Sequence, residues 1–259
     1  MTSTITITHE DGVVMGSDQL ITYPVDPNRQ VFAHIVRDKI YQTERNNVGL
    51  SFWGLGDYAE TDGFHFLEEF DRNMLSKDDF VDEIASKLKE KLETLGIKRR
   101  CGFHIAGYSK SNRPKLRHIF HENWHDKGKF IDEDCHKEFH DSLGNTISYR
   151  HPRDFPVLFN GDNFIANALF NFGKLDSDRP YIRIIPRKLT FQQCIEVAAL
   201  IINTSINRLD YYFDMRKFEK IDPDVGGDVS ILLLTRSKPR MIPIKYKSIH
   251  EILQEHLAK

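Results

Sequence analysis

The first eighteen residues constrain the fold of this chain more than any other segment. Residues 2–8 alternate hydroxyl-bearing and β-branched side chains, a pattern typical of a strand with two different faces. An Asp11-Gly12 turn follows, and residues 13–15 lead back to Gly16-Ser17-Asp18. Strand, Asp-Gly turn and strand predict a β-hairpin in which residues 2–4 lie opposite residues 17–20.

Position 2 adds a chemical possibility to this hairpin. Removal of Met1 makes Thr2 the terminal residue, with a hydroxyl and an α-amine on the same residue. An α-amine, whose ordinary pKa is roughly 7.7–8.0, can act as the general base for that hydroxyl. Thr2 is therefore the candidate nucleophile.

Five motifs, in order along the chain, resemble segments of catalytic proteasome β-subunits and their bacterial two-ring relatives, which are N-terminal-nucleophile hydrolases. The motifs occupy residues 2–18, 38–42, 52–57, 160–162 and 222–231, within roughly 1–110 and 157–236. The resemblance implies an α+β fold, a four-layer αββα sandwich of two antiparallel sheets between helical layers. The predicted order of strands, two helices, strands, two helices and strands agrees with such layers.

Three further residues complete the candidate catalytic set. Lys39 supplies a cation that disfavours protonation of a nearby amine, and Asp18, at the far end of the hairpin, keeps that lysine charged and oriented. Gly54 lacks a side chain, so a substrate carbonyl can approach its N–H as an oxyanion donor. The resemblance assigns the same roles to Thr2, Asp18, Lys39 and Gly54.

The resemblance also implies supporting residues, and here the chain departs from the family. Asp222 matches an acid near the nucleophile, but Asn160 and Val225 replace two serines, and a valine cannot donate a hydrogen bond. The positions that line the substrate pocket in the relatives are occupied by Ile21, Arg37 and Phe52, which predict a bulky, partly apolar wall with a cation.

The resulting prediction is a threonine-type peptidase or amidohydrolase acting on peptides or proteins in a self-compartmentalising homo-oligomeric ring. Transpeptidation in place of hydrolysis remains open, as does any ATPase partner. The alternative is a non-catalytic scaffold or assembly subunit, which the replacements at Asn160 and Val225 favour.

Composition narrows the remaining function classes. Lys plus Arg number 36 and Asp plus Glu 38, so the chain has no excess of basic residues that would favour binding to nucleic acid. No apolar run reaches the length of a membrane span, and no secretory signal is recognised. Three cysteines without a CxxC motif fit a reducing compartment, so the expected location is cytoplasmic. No cofactor is predicted.

The 259 residues are expected to form a single domain, with an insertion at about 112–156 and a short C-terminal extension at about 237–259. Six of the twelve histidines fall in the insertion: His118, His121, His125, His136, His140 and His151. Pairs four residues apart would share a helix face as zinc ligands, with Cys135 or an acid as a third. A polar surface excursion is the preferred interpretation, a lid or ring contact is a further one, and no metal site is predicted.

Helical periodicity predicts helices over residues 61–74, 76–96 and 190–215. Ser76 is the expected N-cap of the second helix, and Thr190 and Gln193 are expected to form a capping box on the third. Residues 102–108 alternate as a half-buried strand does.

Overall fold

The computed structural model describes residues 3–26, 31–54, 63–97, 101–121, 129–135, 148–149, 157–161, 188–215 and 226–244. Within these ranges the strands are β1 (Ser3–His9), β2 (Gly12–Asp18), β3 (Leu20–Asp26), β4 (Val31–Val36), β5 (Ile40–Gln42), β6 (Val48–Trp53), β7 (Gly102–Tyr108), β8 (Pro114–His121), β9 (Phe130–Asp134), β10 (Ser148–Tyr149), β11 (Val157–Gly161), β12 (Val229–Thr235) and β13 (Pro239–Ile244). The helices in the same ranges are α1 (Gly63–Met74), α2 (Val81–Thr94) and α3 (Phe191–Met215).

The strands form three antiparallel sheets. One has six strands in the order β10-β11-β1-β2-β12-β13, one has five in the order β5-β6-β7-β8-β9, and β3 and β4 form a separate two-stranded ribbon. Strands β8 and β9 lie within the segment predicted as an insertion.

The predicted hairpin forms the centre of the six-stranded sheet. Thr4 pairs with Ser17, and the register continues to His9 opposite Gly12. The residues at the turn are therefore Glu10 and Asp11, one position earlier than predicted, and Gly12 is the first residue of β2. The expectation that residues near 2–4 lie opposite residues near 17–20 is confirmed for the described part of the hairpin.

Helix α3 packs on one face of the six-stranded sheet. Its residues Ala198, Ile202 and Ile206 are buried against Ile5 and Ile7 of β1. The predicted capping box is present, because the Thr190 N–H donates to Gln193 Oε1 (2.8 Å) and the Gln193 N–H donates to Thr190 Oγ1 (3.2 Å).

Helices α1 and α2 pack on the five-stranded sheet. Phe66 and Phe70 of α1 and Leu88 of α2 belong to the same buried cluster as Phe103 and Ile105 of β7. Ser76 does not cap α2, since the helix begins five residues later at Val81. Instead the Ser76 N–H is bonded to the Asp79 carboxylate in a separate turn.

The two larger sheets face each other through a layer with two chemically different halves. One half is apolar and contains buried side chains from both sheets, among them Met15, Leu232, Ile40 and Ala106. The other half is polar and hydrogen-bonded across the sheets, as between Thr4 of β1 and Ser51 of β6 (3.2 Å).

The prediction of an α+β four-layer αββα sandwich is wrong. The described residues are mostly β-structure, in three antiparallel sheets rather than two, with three helices among them. Pairing of β3 with β4 separates a ribbon from the main sheets, and α3 is the one helix that the described ranges provide for the six-stranded sheet. A continuous second helical layer is therefore not formed by these residues. None of the described helices combines the length and the apolar character needed to cross a membrane.

Candidate active site

A buried ion pair lies at the end of the β1–β2 hairpin. The Lys39 ammonium donates to both carboxylate oxygens of Asp18, with both Nζ–O distances 2.9 Å. Asp18 is 0% exposed and Lys39 is 1% exposed. Removing such charges from water is costly unless they are paired and hydrogen-bonded, and this geometry satisfies both conditions. The sequence prediction that Asp18 and Lys39 lie together is therefore confirmed as geometry.

The same carboxylate also accepts hydrogen bonds from three backbone amides, two of which come from distant parts of the chain. Asp18 Oδ1 accepts the Ser3 N–H (2.8 Å), and Asp18 Oδ2 accepts the N–H groups of Gly226 (3.1 Å) and Leu20 (3.3 Å). Asp18 thereby joins the beginning of β1, the end of β2 and the approach to β12. Lys39 and the Ser3 amide share one carboxylate oxygen.

Two neighbours of this pair form a second hydrogen-bonded group. The Gln19 amide donates to Asp38 Oδ1 (2.8 Å) and to Ser230 Oγ (2.9 Å), and the Ser230 hydroxyl donates to the same Asp38 oxygen. Gln19 follows Asp18 in the chain and Asp38 precedes Lys39. The group therefore fixes the backbone on either side of the ion pair and attaches it to β12.

Gly54 directly follows β6, is exposed and has a φ of 76°. A positive φ of this size is strained for side-chain-bearing residues, so glycine is required here for conformational reasons as well as for access.

Asn160 lies on β11 opposite Thr4 of β1 and is 8% exposed. Its Oδ1 is 2.7 Å from Nε2 of His104, a fully buried residue of β7 whose Nδ1 is 2.9 Å from Thr6 Oγ1. Burial lowers the pKa of His104 to about 4, so the ring is neutral near pH 7. Sequence reasoning missed His104 because a histidine that alternates with Phe103 and Ile105 resembles a solvent-facing position.

The three predicted pocket residues do not lie in one environment. Ile21 and Phe52 are 3% and 2% exposed and belong to the cluster between the five-stranded sheet and its helices. Arg37 is partly exposed, lies over the Phe64 ring (5.0 Å from guanidinium carbon to ring centroid) and contacts His65 Nδ1 (3.3 Å). Of the three, only Arg37 offers a polar group toward solvent.

Thr2, Asp222 and Val225 lie outside the described residues, as do His125, His136, His140 and His151. The two remaining histidines of the predicted excursion, His118 and His121, are 0% and 6% exposed on strand β8. They lie in a sheet rather than on a helix, so the helical metal-ligand spacing does not apply to His121, and neither residue belongs to a surface excursion.

Among the described residues, one group has the composition and spacing of metal ligands: His9, Glu10 and Asp11 at the hairpin turn. His9 Nδ1 accepts the Asp11 N–H (3.1 Å) and His9 Nε2 is 3.1 Å from the Leu189 carbonyl oxygen. The ring already has hydrogen-bond partners within the protein, and the two acids are exposed.

Comparison with known proteins identifies the fold. No protein-family model matches the chain, and no curated protein matches it. An Anbu (Gly-1) mutant from Hyphomicrobium sp. strain MC1 is similar in structure, with a TM-score of 0.57 at 14% identity over 100% of this chain and 97% of the Anbu chain. Anbu from the same organism gives a TM-score of 0.54 at 12% identity, over 99% and 97% of the two chains.

These matches correct the family assignment made from the motifs. The assignment to proteasome β-subunits and their bacterial two-ring relatives is wrong as stated, because no family model supports it and the similar structures are Anbu proteins. What the chain shares with the two Anbu structures is the overall fold. At 12–14% identity that similarity concerns the fold alone.

Proposed function

We propose that this chain is a threonine-type peptidase or amidohydrolase whose nucleophile is Thr2, exposed as the terminal residue by removal of Met1. One observation carries the proposal: the buried Asp18–Lys39 pair is hydrogen-bonded to the amide of Ser3. Thr2 is covalently joined to that amide nitrogen, so the pair lies next to the residue that would bear the reacting groups.

The chemistry follows from these neighbours. The Thr2 hydroxyl oxygen attacks the substrate carbonyl carbon while its proton passes to the Thr2 amine. The Lys39 cation disfavours prior protonation of that amine, and Asp18 keeps Lys39 charged. The amine then transfers the proton to the leaving nitrogen, and water hydrolyses the resulting ester. The Gly54 N–H would stabilise the oxyanion. Asn160 and Asp222 would keep the hydroxyl and amine of Thr2 in position.

For the substrate, we propose a peptide that places a side chain near Arg37. The guanidinium favours an acidic or carbonyl-bearing group, because its N–H donors match carboxylate geometry. We further propose that the chain works as a homo-oligomeric ring that encloses the site.

A second candidate function is a non-catalytic assembly subunit. It is favoured by Val225, which stands where the resembled enzymes have a serine and cannot donate a hydrogen bond. The two candidates differ in whether Thr2 reacts.

The test combines intact-mass spectrometry with turnover of fluorogenic peptide amides. We expect the purified protein to lack Met1, to gain the mass of a threonine-directed covalent inhibitor, and to hydrolyse at least one peptide amide. Thr2→Ala should abolish hydrolysis, because it removes the nucleophilic hydroxyl and leaves the terminal amine in place, and Thr2→Ser should retain measurable activity. Retention of Met1, together with no inhibitor adduct and no hydrolysis by the wild type above background, would favour the assembly subunit.

A further inference from the structure

Three buried side chains form a hydrogen-bonded chain through the polar half of the inter-sheet layer. Thr6 lies on β1, His104 on β7 and Asn160 on β11, and their exposures are 0%, 0% and 8%. The His104 ring connects the other two, with Nδ1 2.9 Å from Thr6 Oγ1 and Nε2 2.7 Å from Asn160 Oδ1. His104 lies outside the sequence motifs, whereas Thr6 and Asn160 lie within the motifs at residues 2–18 and 160–162.

The partners of the ring determine which nitrogen carries its proton. The amide oxygen of Asn160 can only accept, so His104 Nε2 is the protonated nitrogen and donates to it. Nδ1 then accepts the hydroxyl proton of Thr6. Burial keeps the imidazole neutral near pH 7, so a single tautomer satisfies both contacts.

In this arrangement Oδ1 of Asn160 is the amide atom that faces His104. With Oδ1 held by His104, the amide nitrogen occupies the opposite branch of the side chain. Asn160 pairs with Thr4, and Gly161 pairs with Ser3, so the amide lies beside the beginning of β1. The carboxylate that holds Lys39 also binds the Ser3 amide there.

We propose that His104 is a positioning residue: it fixes the Asn160 side chain so that its Nδ2–H group, rather than its carbonyl, is the hydrogen-bond donor offered to the acyl group of the substrate. The inference rests on the proposed function of Thr2 for its catalytic meaning. Asn160 would then donate a hydrogen bond, as a serine hydroxyl can, and His104 would hold its amide in the orientation that this requires.

Two isosteric substitutions of His104 test the proposal. In His104→Gln the amide nitrogen lies close to the place of Nε2 and still donates to Asn160, whereas in His104→Asn the shorter amide reaches toward Thr6 only. We expect kcat to fall at least about tenfold in His104→Asn with KM changed less than about threefold, since a misplaced group near the chemistry has effects of this size or larger. His104→Gln should remain within about threefold of wild type.

Ile105→Ala is the matched control for lost packing. Ile105 is the next residue of β7 and is buried on the opposite face, in the cluster with the helices. It should lower the melting temperature at least as much as His104→Asn does while leaving kcat unchanged. Equal kcat losses in Ile105→Ala and His104→Asn would overturn the proposal, because they would reduce His104 to a structural role.

A double-mutant cycle gives the coupling directly. Once Asn160 is replaced by Ala, adding His104→Asn should lower kcat by less than about twofold, because His104 would act only through Asn160. Multiplicative losses of the two substitutions would contradict this.

A measurement without turnover separates the failure of this inference from the failure of the proposed function. Long-range ¹H–¹⁵N correlation of the wild-type imidazole should show Nε2 protonated and Nδ1 unprotonated at pH 7. The opposite tautomer would mean that the Asn160 amide is turned the other way, and it would overturn the proposal even in an active enzyme. If Thr2 proves unreactive but Nε2 is protonated, the orientation of Asn160 stands and its catalytic use falls with the proposed function.

Discussion

The ammonium of Lys39 lies 2.9 Å from each oxygen of the Asp18 carboxylate, and neither side chain is more than 1% exposed. Each charge is compensated chiefly by the other, and the carboxylate has three backbone N–H donors besides. Loss of one partner would leave the other charge buried. The integrity of the pair therefore affects the stability of the fold.

Lys39→Met is expected to lower the free energy of unfolding by about 3–5 kcal/mol, the usual effect of leaving a buried charge unpaired. Lys89→Met is the control, because Lys89 forms an i,i+4 pair with Glu93 in which both side chains are over a third exposed. That substitution should cost at most about 0.5 kcal/mol. Urea unfolding monitored by circular dichroism gives both values. Equal effects of the two substitutions would show that Lys39 is solvated.

Acid should lower the free energy of unfolding, because unfolding allows His104 to take up a proton. Its folded-state pKa of about 4 lies below the ordinary value of about 6.5, so the unfolded chain binds the proton more tightly. The contribution of the neutral His104 ring to the free energy of unfolding is fully present above pH 6.5. It is lost as the pH falls toward 4, at about 1.4 kcal/mol per pH unit and about 3 kcal/mol in total.

The His104→Gln variant isolates this contribution, since glutamine does not titrate. Unfolding free energies of wild type and variant should be measured at several pH values from 7 to 4. Wild type should lose about 3 kcal/mol more than the variant over that interval. Parallel curves would show that His104 keeps an ordinary pKa in the folded protein.

Gly49→Ala tests the packing between the two larger sheets. A Cβ at this position of β6 would lie 2.5 Å from Met15 Sδ and 2.6 Å from Leu232 Cδ2, so overpacking should cost about 1–3 kcal/mol. In a Met15→Ala background the same substitution should cost less, because the sulfur is gone. A thermodynamic cycle from chemical unfolding measures the difference, and equal costs in both backgrounds would contradict the contact.

Cys101 and Cys194 should resist alkylation in the folded protein. Both are fully buried, and desolvation raises the pKa of each thiol to about 12, so almost no thiolate is present at pH 8. Iodoacetamide labelling followed by peptide mass mapping should modify them only after unfolding in urea. Rapid labelling of Cys101 without denaturant would show that the five-stranded sheet opens locally.

The parts that the sequence predicted correctly depend on local geometry. A strand repeat of two residues and a short turn determine the hairpin register, which brings the end of β2 beside the start of β1. The capping box of α3 involves Thr190 and Gln193, three positions apart. In each case the interacting residues are close in the chain.

The incorrect parts depend on distant segments. The layer prediction failed because periodicity does not reveal which strands pair, and β3 pairs with β4 outside both large sheets. His104 was missed because alternation was taken to mean one solvated face, whereas every residue of β7 is buried. A sheet covered on both sides can alternate apolar residues with polar ones that bond to another sheet, as His104 does with Thr6.

The carboxylate of Asp18 accepts a hydrogen bond from Gly226, which lies 208 positions later in the chain, and β2 has β12 as its neighbour. During synthesis on the ribosome, the Asp18–Lys39 pair would therefore lack the Gly226 hydrogen bond and the neighbouring strand β12 until residues near 235 had left the exit tunnel. A chain truncated before β12 would leave β2 as an open edge and would lack the Gly226 amide that binds Asp18, so the surroundings of the ion pair form only after β12 has been synthesised.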